Sequence, residues 1–115
     1  MTEVPASEGP FERIRSLIRP VALRYPVSEI YLFGSRARGD GTPDSDYDLL
    51  IVPEDHMTMF QMCGMLSDLE DLFGNVDLVS SRSISGEFEH RIMNERVLVY
   101  DLNSKSDCVP SLSTD

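Results

Sequence analysis

The chain has 115 residues, the size of one domain, and its 41% apolar and 26% charged residues suit an ordinary globular core. Its net charge of −10 argues against strong unaided nucleic-acid binding, which depends on neutralising phosphates, and is compatible with a basic protein partner. No apolar run approaches the roughly 18 residues of a membrane span; Met1-Thr2-Glu3-Val4-Pro5 lacks the basic and apolar stretches of a signal peptide; and Cys63 and Cys108 show no disulfide pattern, which together point to a cytoplasmic setting.

Residues 1–10, with Pro5, Gly9 and Pro10, read as a flexible lead. From Phe11, the positions Phe11, Ile14, Leu17, Ile18, Val21 and Ala22 recur at helical spacing, with Pro20 expected to kink or split the helix and Tyr25-Pro26 to end it. Residues 28–33 form a mostly buried strand, and Gly34-Ser35 turns off its end. A short helix begins at Ser35 and is closed by Gly39. Residues 40–45 are a Gly/Pro/Asp loop, and residues 47–52 a second strand that Pro53 stops. Residues 58–73 form a helix with Met62, Met65, Leu66, Leu69, Leu72 and Phe73 facing inward, Asp68, Glu70 and Asp71 on a solvated face, and Gly74 as its cap. The series Met57, Met59, Met62 and Met65 reads as core, and Tyr31 and Tyr47 as packing residues. Residues 75–80 are a third strand. Ser83-Ile84-Ser85 opens another helix, with Phe88, Ile92 and Met93 inward, and residues 97–100 form a terminal strand. The Ser-rich stretch 103–115 reads as disordered. The order helix, strand, strand, helix, strand, helix, strand gives an α/β (α+β) domain over residues 11–102, a small sheet flanked by helices.

One spacing carries the chemistry: Gly34-Ser35, ten residues, then Asp46-Tyr47-Asp48. Chance occurrence of this four-residue pattern is roughly one in a thousand at average usages of about 5–7% for Gly, Ser and Asp. Side chains alternate along a strand, so Asp46 and Asp48 share a face and repel unless a cation lies between them. Mg²⁺ suits such a pair, because it is held by a few carboxylates together with phosphate oxygens and water. Asp77 sits early in an apolar strand, where a charge needs a reason. If that strand neighbours the second, three carboxylates converge, enough to hold two metals and activate a hydroxyl. Gly34 lets backbone approach a phosphate, and Ser35 adds a hydroxyl donor. Arg36 and Arg38 are candidate phosphate ligands that can equally pair with Asp40 or Asp44. Taken singly, the carboxylate pair suits a solvated strand entry and Gly-Ser a plain tight turn. Their spacing makes them a phosphoryl- or nucleotidyl-transfer site. His56 and His90 stand isolated, without a ligand-spaced partner.

With these residues the chain resembles the DNA polymerase β-type nucleotidyltransferase superfamily, and within it the minimal nucleotidyltransferases (MNT), the antitoxin half of HEPN/MNT toxin–antitoxin pairs. The matching residues are Gly34-Ser35, Asp46, Asp48 and Asp77, within the longer runs Gly34-Ser35-Arg36-Ala37-Arg38-Gly39 and Ser45-Asp46-Tyr47-Asp48-Leu49. The resemblance spans roughly residues 11–101. It implies the nucleotidyltransferase fold, a mixed sheet flanked by helices. It further implies that Asp46 and Asp48 bind two Mg²⁺ ions, that Asp77 is a ligand and base, and that Gly34 and Ser35 hold the phosphates of ATP. The implied reaction moves AMP from ATP to a tyrosine hydroxyl on a HEPN RNase toxin, in a hetero-oligomer with that toxin or as a homo-oligomer. Two rivals stand beside it. One is a binding module that silences its partner by occlusion. The other is a small-molecule nucleotidyltransferase, which a chain of this length leaves little room for.

Overall fold

Leu49, Leu50 and Ile51 are fully buried, and this unbroken apolar run sets the plan of the molecule. They lie in β2 (Tyr47–Pro53), a strand covered on both faces, which explains a continuous rather than alternating pattern. The structure is a computed structural model that describes residues 11–42 and 44–102. The expected lead 1–10 and Ser-rich tail 103–115, with Cys108, lie outside the described residues.

Four strands form one mixed sheet. β1 (Val27–Phe33) pairs antiparallel with β2 on one side and with β4 (Val97–Asp101) on the other, and β3 (Val76–Ser80) pairs parallel with β2, giving the order β3-β2-β1-β4. The parallel step from β2 to β3 is bridged by α3 (Met59–Phe73), the long crossover that such a step requires. The remaining helices are α1 (Glu12–Ala22), α2 (Ser35–Arg38) and α4 (Gly86–Glu95).

The sheet separates two apolar layers. Ile30, Leu32, Leu49, Ile51 and Val99 point to one face and pack on Ile18, Val21 and Ala22 of α1 and on Met65 and Leu69 of α3. Phe33 and Leu50 point to the other face and pack on Ile92 of α4, with Tyr31, Val79 and Ile84 around them.

Local sequence accounts for the helix ends. Thr58 caps α3 rather than joining it: its hydroxyl accepts the Gln61 N–H, and the Gln61 side chain accepts the Thr58 N–H, a capping box. Gly74 ends α3 at φ 89°, a conformation cheap only for glycine.

Several expectations are corrected. Pro20 neither splits nor stops α1, because only Val21 and Ala22 follow it within the helix and both are anchored in the core. The helix ends at Ala22, short of Tyr25-Pro26. Leu72, Phe88 and Met93 are about 40% exposed, although their helical spacing suggested burial. The methionines divide: Met57 and Met65 are buried, while Met59 is 73% exposed beside Phe60 at 88%. Asp68 is not simply solvated. It accepts a 2.6 Å hydrogen bond from the Tyr25 hydroxyl and lies 3.6 Å from Arg24, tying the end of α1 to α3.

The buried and exposed faces of α3 predict unequal responses to truncation. Leu69→Ala removes a fully buried side chain and is expected to cost about 2–5 kcal/mol. Phe60→Ser on the same helix should stay within about 0.5 kcal/mol of the parent. Urea midpoints at constant m-value measure both, and a Phe60→Ser loss as large as that of Leu69→Ala would contradict this layering.

Candidate active site

Strand direction brings the motif residues to one end of the sheet. β1 runs toward that end and turns there at Gly34. Strands β2, β3 and β4 all run the other way and so begin there. Phe33 is the register partner of Asp48 across β1 and β2, and Asp48 is the partner of Asp77 across β2 and β3. Asp48, Leu50, Asp77 and Val79 alternate onto the α4 face, while Asp46 lies just before β2. Asp48 and Asp77 thus share one face at one edge, beside the turn.

The turn is fixed by the need to pass Asp48. Gly34 has φ 80°, and a Cβ added to it would collide with Asp48 Oδ2. Only glycine meets both demands. After it, α2 makes a single turn, with Ala37 and Arg38 N–H groups donating to the Gly34 carbonyl, and Gly39 closes it at φ 89° in the left-handed region.

The two arginines of α2 serve different faces, since residues two apart on a helix diverge. Arg38 lines the cleft. Its Nη1 donates to Glu95 Oε1 at 3.1 Å and its Nε faces Asp40 Oδ2 at 3.4 Å. Arg36 lies over the Tyr47 ring at 4.0 Å, and Tyr47 in turn stacks on Phe73 at 4.5 Å. Its Nε and Nη2 both donate to the Ser45 carbonyl, so Arg36 fastens the loop that leads into Asp46.

A cleft of about 400 Å³ opens here, lined by Gly34, Ser35, Arg38, Asp48 and Asp77 from the sheet end and by Phe88, Arg91, Ile92 and Glu95 from α4. Asp46 is exposed, close enough to Asp48 to raise its pKa, and does not line the cleft. A groove of about 430 Å³ between α1 and β4 is slightly larger but holds none of the motif residues.

Two cleft residues escaped the sequence reading. Glu95 accepts the Gly34 N–H at 2.7 Å and pairs with Arg38, and Arg91 stands one turn before it. A signal existed: Phe88, Arg91, Ile92 and Glu95 are spaced 0, 3, 4 and 7, one helix face. What the sequence lacked was any indication that this face ends at the Gly34 turn.

Burial raises the Asp48 pKa above its ordinary 3.8, and the negative charges of Asp77, Asp46 and Glu95 push it further, against the opposing pull of Arg38. Arg38 is itself raised, first by its hydrogen bond to Glu95 and then by Asp40. The donor chemistry of Asp48 and Asp77 fits a hard divalent cation, all carboxylate oxygen on adjacent strands. Among the described residues no three His, Cys, Asp or Glu side chains close into a ready-made metal cage. Mg²⁺ does not require one, because phosphate and water oxygens commonly complete its shell.

Three comparisons place this geometry. The family described as polymerase beta, nucleotidyltransferase matches residues 17–105. The protein adenylyltransferase MntA of Thermococcus cleftensis is 35% identical over 77 residues, covering 66% of this chain and 78% of that protein. A toxin–antitoxin crystal structure with AMP-PNP superposes at a TM-score of 0.62 and 22% identity, covering 86% of this chain and 79% of that one. A complex of tri-AMPylated Shewanella oneidensis HEPN toxin with its MNT antitoxin superposes at 0.54 and 21% identity, covering 83% and 72%. These last two establish the likeness of fold. Among the described residues no helix is long and apolar enough to cross a membrane.

Two substitutions test the geometry. Gly34→Ala is expected to cost about 1–3 kcal/mol from the backbone conformation alone, a positive φ with an extended ψ, with a further loss from displacing Asp48. Equal melting temperatures for variant and parent would contradict the close approach. Asp48→Asn should stabilise the metal-free fold at neutral pH. A carboxyl with a raised folded pKa favours the fold in its protonated form; that contribution is complete below 3.8 and lost as pH rises through the raised value. The gap between Asp48→Asn and parent should therefore narrow on acidification. Melting curves from pH 7 down to pH 4 measure it, and a parent more stable than the variant at pH 7 would contradict the repulsion.

Proposed function

The chain belongs to the polymerase β-type nucleotidyltransferase family, and on that footing we propose that it is an MNT antitoxin that transfers AMP from ATP to a tyrosine hydroxyl of a HEPN RNase toxin. The observation that carries the reading is the alignment of Asp48 with Asp77 across parallel strands, directly beside the glycine turn. The acceptor class follows the protein adenylyltransferase relative and the fold neighbour complexed with an AMPylated HEPN toxin. The donor follows the neighbour solved with AMP-PNP.

In this reading Gly34, Ser35 and Arg38 receive the donor phosphates. Asp46 and Asp48 would hold Mg²⁺, with Asp77 as a further ligand, and the metal would supply charge neutralisation for the phosphates. The acceptor oxygen bonds to the α-phosphorus in line with the bridging oxygen to the β-phosphorus. That bridging bond breaks, pyrophosphate leaves, and the hydroxyl proton passes to the Asp77 carboxylate. Asp77 is exposed at the cleft, where an acceptor presented by another protein can reach it. The residues of the cleft come from the sheet end, α2 and α4, and none of these elements forms a separate acceptor-binding unit.

The test is to incubate the purified chain with ATP, Mg²⁺ and a HEPN toxin and weigh the toxin by intact mass spectrometry. One or more AMP increments are expected, lost with Asp77→Ala and with Asp48→Asn. Tight complex formation without any increment would instead support an antitoxin acting by occlusion.

A further inference from the structure

We infer that Glu95 is an internal stand-in for a donor phosphate: it occupies the phosphate turn before nucleotide arrives and must be exchanged for the triphosphate. The inference rests on the nucleotidyl-transfer reading of the cleft. Glu95 Oε2 accepts the Gly34 N–H at 2.7 Å, and Oε1 accepts from Arg38 Nη1 at 3.1 Å. A backbone N–H at a glycine turn and an arginine guanidinium are the donors that two phosphate oxygens would take. Here one carboxylate bridges both.

The placement is an unfavourable one for an anion. The Glu95 side chain is only 17% exposed and stands within electrostatic reach of Asp48. Two charge-assisted hydrogen bonds offset that environment. The contact joins residues 61 apart in sequence, so it is a product of how α4 docks and not of local chain geometry. Arg91, one turn earlier on the same face, lines the cleft and has no hydrogen bond or ion pair among the described residues. A triphosphate can displace Glu95 at Gly34 and Arg38 and gain Arg91 in the same step. The turn is thereby kept in its binding geometry without ligand, at the cost of part of the affinity it would otherwise have.

Calorimetric titration with three probes, each with Mg²⁺, tests this: ATP, inorganic tripolyphosphate, and adenosine. Relative to wild type, Glu95→Ala is expected to bind ATP and tripolyphosphate about tenfold tighter, the scale of one lost competing charged hydrogen bond. Adenosine, which has no phosphate, should bind both proteins alike. Glu95→Gln keeps the shape and an acceptor oxygen, so it guards against collapse of the turn, and it should fall between the two. If wild type binds ATP and neither variant binds it more tightly, Glu95 supports the turn and does not compete at it, and the inference is overturned. If neither wild type nor Glu95→Ala binds ATP or tripolyphosphate, both this inference and the nucleotidyl-transfer reading fall.

Discussion

The parallel pairing of β2 with β3 in the register Asp48 to Asp77 is the constraint on which the site depends. Parallel strands start at the same end, so two strand-initial carboxylates become neighbours without any loop having to place them. The antiparallel partner β1 then has to finish where they start, which delivers Gly34 against Asp48. A shift of one residue in β2 would turn Asp48 to the α1 and α3 face and Leu49 toward the cleft. Such a slip would carry the Asp48 carboxylate into the apolar layer under α1 and α3, and the cost of burying that charge opposes it. Core packing and site geometry are here the same restraint.

Electrostatics set the second condition. The sheet end gathers Asp46, Asp48 and Asp77, with Glu95 adjacent, in a chain already at −10. Arg38 and Arg91 are the cleft's cations, and Arg38 is shared between Glu95 and Asp40. Such a site has little intrinsic attraction for a bare polyphosphate. In the proposed reaction a divalent cation travelling with the nucleotide would change the balance, since it would meet the carboxylates and the phosphates with one charge. The raised Asp48 pKa is the signature of the crowded carboxylates themselves.

What could be read from sequence was whatever local spacing encodes. The Gly34-Ser35 turn, the Asp46/Asp48 pair on one strand face and the strand-initial Asp77 are all statements about near neighbours, and the element order followed from apolar periodicity. What could not be read was which amphipathic faces find a partner. Leu72, Phe88 and Met93 sit at helical spacing yet remain half exposed, because α3 and α4 each meet the sheet along a stripe narrower than their apolar pattern. Arg36 and Arg38 looked equivalent until α2 sent one onto Tyr47 and the other into the cleft. Glu95 was invisible for the same reason. Its role comes from a contact across 61 residues that no motif records.

That long-range contact also bears on the order in which the molecule assembles. Strands β1 and β2 are joined by a short connection and meet early, and β3 follows through the α3 crossover. β4 must return to pair Ile30 with Tyr100, closing a much larger loop. α4 and β4 are therefore the natural last pieces to dock, and β4 is an edge strand with one neighbour. Cooperative units of this kind open more readily than central strands. Opening this one would unseat Glu95 from Gly34 while leaving Asp48 and Asp77 paired in the sheet, so hydrogen exchange should find the Gly34 turn protected no longer than α4 stays docked.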